Sequence, residues 1–319
     1  MKCKAFPGLE SLKSHLRFLG AKLTGVQGGG VKVGLSIYSL SRAIQEKEMD
    51  VLQAIQWIAD NGGECVEISP PAELKLVEQP EMVKAIRQKA KDAGLDISSY
   101  SIGANFIQPD KAAYENEINR VIKEVDVANG LGVKFMRHDA ASRPIPECGI
   151  EQFEKDLPQI VEACQRIADH AKQCGITTSV ENHGYFMQKS DRVRILVSKV
   201  NRPNFKTTID IGNFMCVDES PVAAVKNNIS IASHIHFKDF YFRPFWWANP
   251  GEGWFPTLYG NFLRGAIVGQ GDVDIKSVLK IIKGSGYDGY LSIEFEGMEE
   301  CKLGSRIGIA NLKRMLSEI

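Results

Sequence analysis

From Val31 onward, short runs of β-branched and apolar residues alternate with longer stretches whose apolar positions recur at helical spacing. The β-type runs are VKVGLSIY (31–38), CVEIS (65–69), LDISSYSI (95–102) and VKFMRHD (133–139). Four more follow: ITTSVEN (176–182), FKTTIDI (205–211), SHIHFKD (233–239) and YLSIEFE (290–296). Amphipathic stretches predict helices over 48–61, 79–93, 111–130, 151–174 and 272–285. Several strands follow a helix-ending glycine, as in DAGLDI, GLGVKF and QCGITTSV. Strict β/α alternation implies a parallel sheet, and eight such units predict closure into a single-domain (β/α)8 TIM barrel over 31–319. A doubly wound open sheet is the alternative. The Gly28–Gly30 run precedes the first strand, so it is no phosphate cradle of the strand–turn–helix type.

Residues 1–30 stand apart. Leu9, Leu12, Leu16, Leu19 and Leu23 recur at three- and four-residue intervals among Lys13, Arg17 and Lys22, and a glycine-rich joint follows. This predicts an extra N-terminal helix that docks on the barrel or serves as an arm for self-association.

The ends of the predicted strands carry the chemistry. Strand five ends in Glu181, strand six in Asp210, strand seven in His236 and strand eight in Glu294. In a (β/α)8 barrel these C-terminal ends line one mouth. Three acids and an imidazole crowded into a partly buried cup require neutralisation by protons or a cation. A divalent metal is the economical answer, and the oxygen-rich set favours Mn²⁺ or Mg²⁺, with Co²⁺ or Zn²⁺ also admissible.

Charge and cysteine content narrow the classes. Lys plus Arg and Asp plus Glu both number 39, which gives no whole-chain attraction to nucleic acid or an anionic membrane. Seven scattered cysteines without a CxxC pair predict neither a disulfide framework nor a thiolate zinc site. With no apolar run long enough to span a bilayer, the expectation is a soluble cytoplasmic protein.

The succession SVENHG, TTIDIGNF, SHIHFKDF and LSIEFEG resembles the xylose isomerase-like TIM-barrel superfamily, with its sugar phosphate isomerases and epimerases, ketose 3-epimerases and inosose dehydratases. The resemblance implies metal binding by Glu181, Asp210, His236 and Glu294. Two positions depart from the ketose 3-epimerase pattern: Asn213 stands where those enzymes have histidine, and Phe242 where they have arginine, with Arg243 one place late. HFKD is closer to the inosose dehydratase branch, in which Lys238 would face substrate oxygens.

A metal between two glutamates suits a substrate with adjacent carbonyl and hydroxyl oxygens. Glu181 and Glu294 would move a proton through an enediolate, giving epimerisation or isomerisation of a keto-sugar. With a leaving group β to the carbonyl, the same intermediate makes the protein a carbon–oxygen lyase acting on a keto-inositol or 3-keto-glycoside. His183 and His138 are candidate acids or bases, whereas His234 is read as structural and pointing away from the mouth. The aromatic stretch after strand seven reads as a long lid. Asn213, Arg243, Trp246 and Trp247 are candidate substrate contacts, and the aromatics are equally suited to a homo-oligomer or partner-subunit interface. The non-enzyme alternative is a sugar-binding or assembly subunit.

Overall fold

In a computed structural model, which describes residues 30–319, all eight predicted strands pair into a closed parallel barrel. In order around the barrel these are β1 (Lys32–Ser36), β2 (Cys65–Ile68), β3 (Asp96–Ile102), β4 (Phe135–His138), β5 (Thr177–Glu181), β6 (Phe205–Asp210), β7 (Ala232–Phe237) and, after an inserted sheet, β11 (Tyr290–Ile293), which returns to β1. The predicted N-terminal helix lies outside the described residues. The backbone of Glu294 extends the last ladder by donating to the Phe237 carbonyl at 3.0 Å.

Alternation within each strand decides what faces where. Val66, Val180, Ile209, Ile235 and Ile293 are fully buried members of the hydrophobic core. Their sequence neighbours Glu67, Ser179, Thr208, His236 and Ser292 are also buried, on the opposite strand face. The apolar face packs under the helices α1 (Ser41–Gln45), α2 (Val51–Asp60), α3 (Pro80–Asp92), α4 (Lys111–Leu131), α5 (Ile150–Gln173), α6 (Ser190–Val200), α7 (Asn213–Cys216), α8 (Pro221–Asn228), α9 (Ile275–Ser285) and α10 (Cys301–Ser317). α2 shows how the sequence builds such a unit. Asp50 and Gln53 form a capping box, and Val51, Ala54, Ile55 and Ile58 bury one face. α4 ends where Gly132 takes a φ of 77°, the left-handed turn that feeds β4.

The aromatic stretch after the seventh strand is not the irregular lid the sequence predicts. The seventh barrel strand stops at Phe237, and β8 (Asp239–Arg243), β9 (Phe255–Pro256) and β10 (Phe262–Ala266) form a three-stranded antiparallel sheet. Asp239 anchors it by accepting from the backbone N–H groups of Phe240, Gly269, Gly271 and Val273 at 2.9–3.2 Å. Phe240 and Leu263 form a small buried cluster with Cys216. Cys65, Cys148, Cys164, Cys174, Cys216 and Cys301 are all free thiols. No helix among the described residues is long and apolar enough to cross a membrane.

Barrel closure at β1 depends on Gly34, where an added Cβ would stand 1.9 Å from the Cys65 carbonyl oxygen on β2. The Gly34→Ala variant is therefore expected to lose about 1–3 kcal/mol of stability, the usual range for overpacking a rigid site. Urea unfolding checks this, and a variant indistinguishable from the parent would contradict the close strand approach.

Candidate active site

Four strands deliver the predicted quartet to one place. Ligand atoms of Glu181, Asp210, His236 and Glu294 all lie within 4.8 Å of one another. The sequence places each on the interior strand face, and local bonds fix their attitudes. Asn182 clamps the peptide of Asp210 from both sides, its Nδ2 donating to the carbonyl and its Oδ1 accepting from the N–H, each at 2.8 Å. Asp210 Oδ1 accepts from the N–H groups of Gly212 and Asn213 at 2.9 Å. Its other oxygen, Oδ2, is buried without a hydrogen-bonding partner, 3.2 Å from Lys238 Nζ. His236 Nδ1 lies 2.6 Å from Glu181 Oε1 and 3.4 Å from Glu294 Oε1.

Residues outside the predicted quartet complete the chamber. Arg137, at the end of β4, ion-pairs with both Glu181 and Asp139. Glu67 of β2 is fully buried below His236, 3.0 Å from its Nε2. Glu296, two residues past Glu294, lies 3.4 Å from Lys238 Nζ. Lys238 is also 3.1 Å from Glu294 and 3.3 Å from Asn213 Oδ1.

The electrostatics follow from crowding. Burial pushes the carboxyl groups of Asp210 and Glu294 upward, and for both the negative charge of Glu181 adds to the rise against the lowering pull of Lys238 and His236. Burial opposes ionisation of Glu181 too, but Arg137 and His236 hold it well below the usual carboxylate range. Six carboxylates (Glu67, Asp139, Glu181, Asp210, Glu294, Glu296) face Arg137, Lys238 and two histidines, His183 and His236. With His183 charged and His236 neutral, as a nitrogen ligand must be, six minus three leaves a formal deficit of three positive charges in the same contact set, of which a divalent cation would supply two. That deficit, the Asp210 Oδ2 that has the Lys238 ammonium nearby but no hydrogen bond, and the three-oxygen, one-nitrogen donor set fit a single divalent cation. Glu67, His234 and His236 also bring ligand atoms within the same mutual distance, as do Asp139, Glu181 and His183 at the mouth and Asp126, His170 and Cys174 elsewhere.

Other predicted site residues divide. Lys238 and Asn213 join the quartet as described. His183 stands at the mouth with its side chain half exposed and Nδ1 3.2 Å from Asp139 Oδ1. His138 does not join them: Arg137 takes the inward position on β4, so its neighbour turns outward. There the His138 ring packs against Phe106 and Phe205, and burial pushes it down to about 4, which leaves a neutral imidazole remote from the chemistry. His234 also differs from expectation. Two residues from His236, it shares that residue's face and points into the barrel, 3.0 Å from Ser292 Oγ.

Arg243, Trp246 and Trp247 make their contacts in the appended sheet and not with the quartet. The Arg243 guanidinium lies 5.6 Å from the Trp247 ring centre and 5.3 Å from that of Trp254. Trp246 packs edge-on against Phe245, and both are well exposed. Glu67 is the principal site residue that a search of strand ends misses, because it lies inside the CVEIS run and not at its close. The Cys65-Val66-Glu67-Ile68 alternation was the available signal.

Comparison with known proteins places this geometry in context. A family model described as xylose isomerase-like TIM barrel matches residues 55–315. An inosose dehydratase of Clostridium perfringens is 22% identical over 228 residues, which is 68% of this chain and 75% of that protein. Among solved structures, the probable 3-DHS dehydratase AsbF of Bacillus anthracis superposes with a TM-score of 0.69 at 17% identity, covering 89% of this chain and 98% of the other. A D-psicose 3-epimerase of Clostridium cellulolyticum H10, solved with D-tagatose, gives 0.69 at 16% identity, covering 90% and 99%. With the family match running through almost the whole barrel, the chain belongs to the xylose isomerase-like TIM-barrel family.

Proposed function

We propose that the protein is a divalent-metal-dependent isomerase or epimerase of a keto-sugar or sugar derivative, with Mn²⁺ the preferred ion. The observation that carries this is the convergence of Glu181, Asp210, His236 and Glu294, with the two glutamates both reaching the Nδ1 side of one imidazole. A divalent ion there supplies Lewis-acid stabilisation of negative charge on adjacent carbonyl and hydroxyl oxygens of the substrate.

The chain's own groups divide the remaining work. Arg137 pins Glu181, so Glu294, the more accessible of the two, is the group that takes up the proton. Returned by Glu181 from the opposite face, a proton gives an epimer; returned by Glu294 to the neighbouring carbon, it gives an isomer. The Lys238 ammonium and the Asn213 amide, whose Nδ2 is buried without a partner, are donors for substrate oxygens. The appended sheet offers exposed Phe245, Trp246, Trp247 and Tyr259 to the outer part of a carbohydrate substrate or to a second copy of the chain.

A second reading, a carbon–oxygen lyase, is favoured by His183 and Asp139. This pair at the mouth, tied through Asp139 to Arg137, can protonate a departing hydroxyl or glycosyl oxygen. Inosose and 3-DHS dehydratases and a psicose epimerase among the similar proteins support the common enolising step and leave both outcomes open to experiment.

Incubation of Mn²⁺-loaded protein in D₂O with ketoses, inososes and 3-keto-glycosides, followed by NMR, tests the proposal. Deuterium is expected at the carbon next to the carbonyl, abolished by chelation and slowed at least about 100-fold in Glu294→Gln. Release of water or an aglycone would assign the lyase. Exchange that survives chelation, or no exchange with any substrate, would overturn the enolising reading.

The dyad makes its own prediction. Burial alone would lower the His183 pKa, but the bond to Asp139 and the charges of Asp139 and Glu181 raise it above the usual 6.5. Its contribution to stability is therefore fully present below about pH 6.5 and lost as pH rises through the folded-state value. An NMR titration should place wild-type His183 above 6.5 and Asp139→Asn clearly below wild type. An unchanged value in the variant would show that the pair is not formed.

A further inference from the structure

The His236 imidazole has two ends, and only one faces the quartet. Nδ1 meets Glu181 and Glu294 at 2.6 and 3.4 Å, while Nε2 lies 3.0 Å from Glu67 Oε1. Glu67 is fully buried, and the same Oε1 accepts from Ser101 Oγ at 2.6 Å. His234 Nε2 stands 3.7 Å from Glu67 and 3.0 Å from Ser292 Oγ, so this polar layer is built from four strands, β2, β3, β7 and β11. A carboxylate in such a place costs several kcal/mol unless matched by donors. Its close donors here are Ser101 and the far end of the site's imidazole.

We propose that Glu67 is a positioning residue: by accepting a hydrogen bond from His236 Nε2–H it fixes the ring and its tautomer, so that Nδ1 is the nitrogen presented with Glu181, Asp210 and Glu294 to a divalent cation. Ring rotation by a half turn about Cβ–Cγ would replace both nitrogens by carbons at these contacts, so the two ends are restrained together. Ser101 in turn restrains Glu67. The inference rests on the metal-binding reading above, and it assigns Glu67 no contact with substrate.

Calorimetric titration of Mn²⁺ into the metal-free full chain tests it, with Glu67→Gln, Glu67→Leu and Ser101→Ala beside the parent. The expected losses of affinity are about tenfold for Glu67→Gln and about 100-fold for Glu67→Leu, the range for removing an outer partner of a ligating histidine. Ser101→Ala, which removes only an oxygen, should fall short of tenfold and guards against loss of fold in the Glu67 variants. A second readout is the low-field proton resonance of His236 Nε2–H, expected in the parent, displaced in Glu67→Gln and absent in Glu67→Leu. Parent-like affinity in both Glu67 variants while the parent binds Mn²⁺, or survival of the resonance in Glu67→Leu, would overturn this inference alone. A parent that takes up no Mn²⁺ would overturn the metal-binding reading with it. A second Mn²⁺ lost only with Glu67, leaving the first unaffected, would make Glu67 a ligand in its own right and also overturn the positioning role.

Discussion

Burying carboxylates at the mouth of the barrel is the constraint on which the rest of the structure depends. Glu67, Glu181 and Asp210 are almost wholly removed from water, and Glu294 nearly so. A single cation among them would not balance the charge. Arg137 and Lys238 are therefore inserted between the acids, and each serves more than one, while His236 donates to Glu67 through one ring nitrogen and turns the other to Glu181 and Glu294. Asn182 adds no charge; it fixes the Asp210 backbone so that one carboxylate oxygen is spent on local N–H groups and the other faces Lys238.

Strand alternation makes this crowding compatible with a stable fold. Each barrel strand must be apolar toward the helices, and Val180, Ile209, Ile235 and Ile293 meet that demand. The alternate positions are then free to be polar. Below the acids the interior is filled by small hydroxyl side chains that bond across strands, as Ser179 does with Thr208 at 2.7 Å and His234 with Ser292. The apolar layer carries stability and the polar layer carries geometry, so chemistry can vary at the mouth without dismantling the core.

Much of this was readable in the residues. The three acids and the imidazole at Glu181, Asp210, Glu294 and His236 could be found because each closes a short β-type run, and the parallel barrel brings such ends together. Lys238 and Asn213 came from the family resemblance, through the HFKD motif and the position that follows the strand-six aspartate. His138 was misplaced because closeness to a strand end does not determine which face a side chain takes; Arg137 occupies the inward position. The same period of two puts His234 and Glu67 inside. The aromatic stretch after Phe237 was harder to read, since its pairing between β8 and β10 joins segments separated by a turn-rich insertion. Those non-local hydrogen bonds leave little mark in local composition.

The central claim, that four strand ends hold one divalent cation, is tested most directly by X-ray diffraction from Mn²⁺-soaked crystals at the manganese absorption edge. The account predicts one strong anomalous peak within coordinating distance of Glu181, Asp210, His236 Nδ1 and Glu294, with Glu67 on the far nitrogen of His236. A peak confined to the Asp126–His170–Cys174 cluster, or an empty quartet at saturating Mn²⁺, would contradict it.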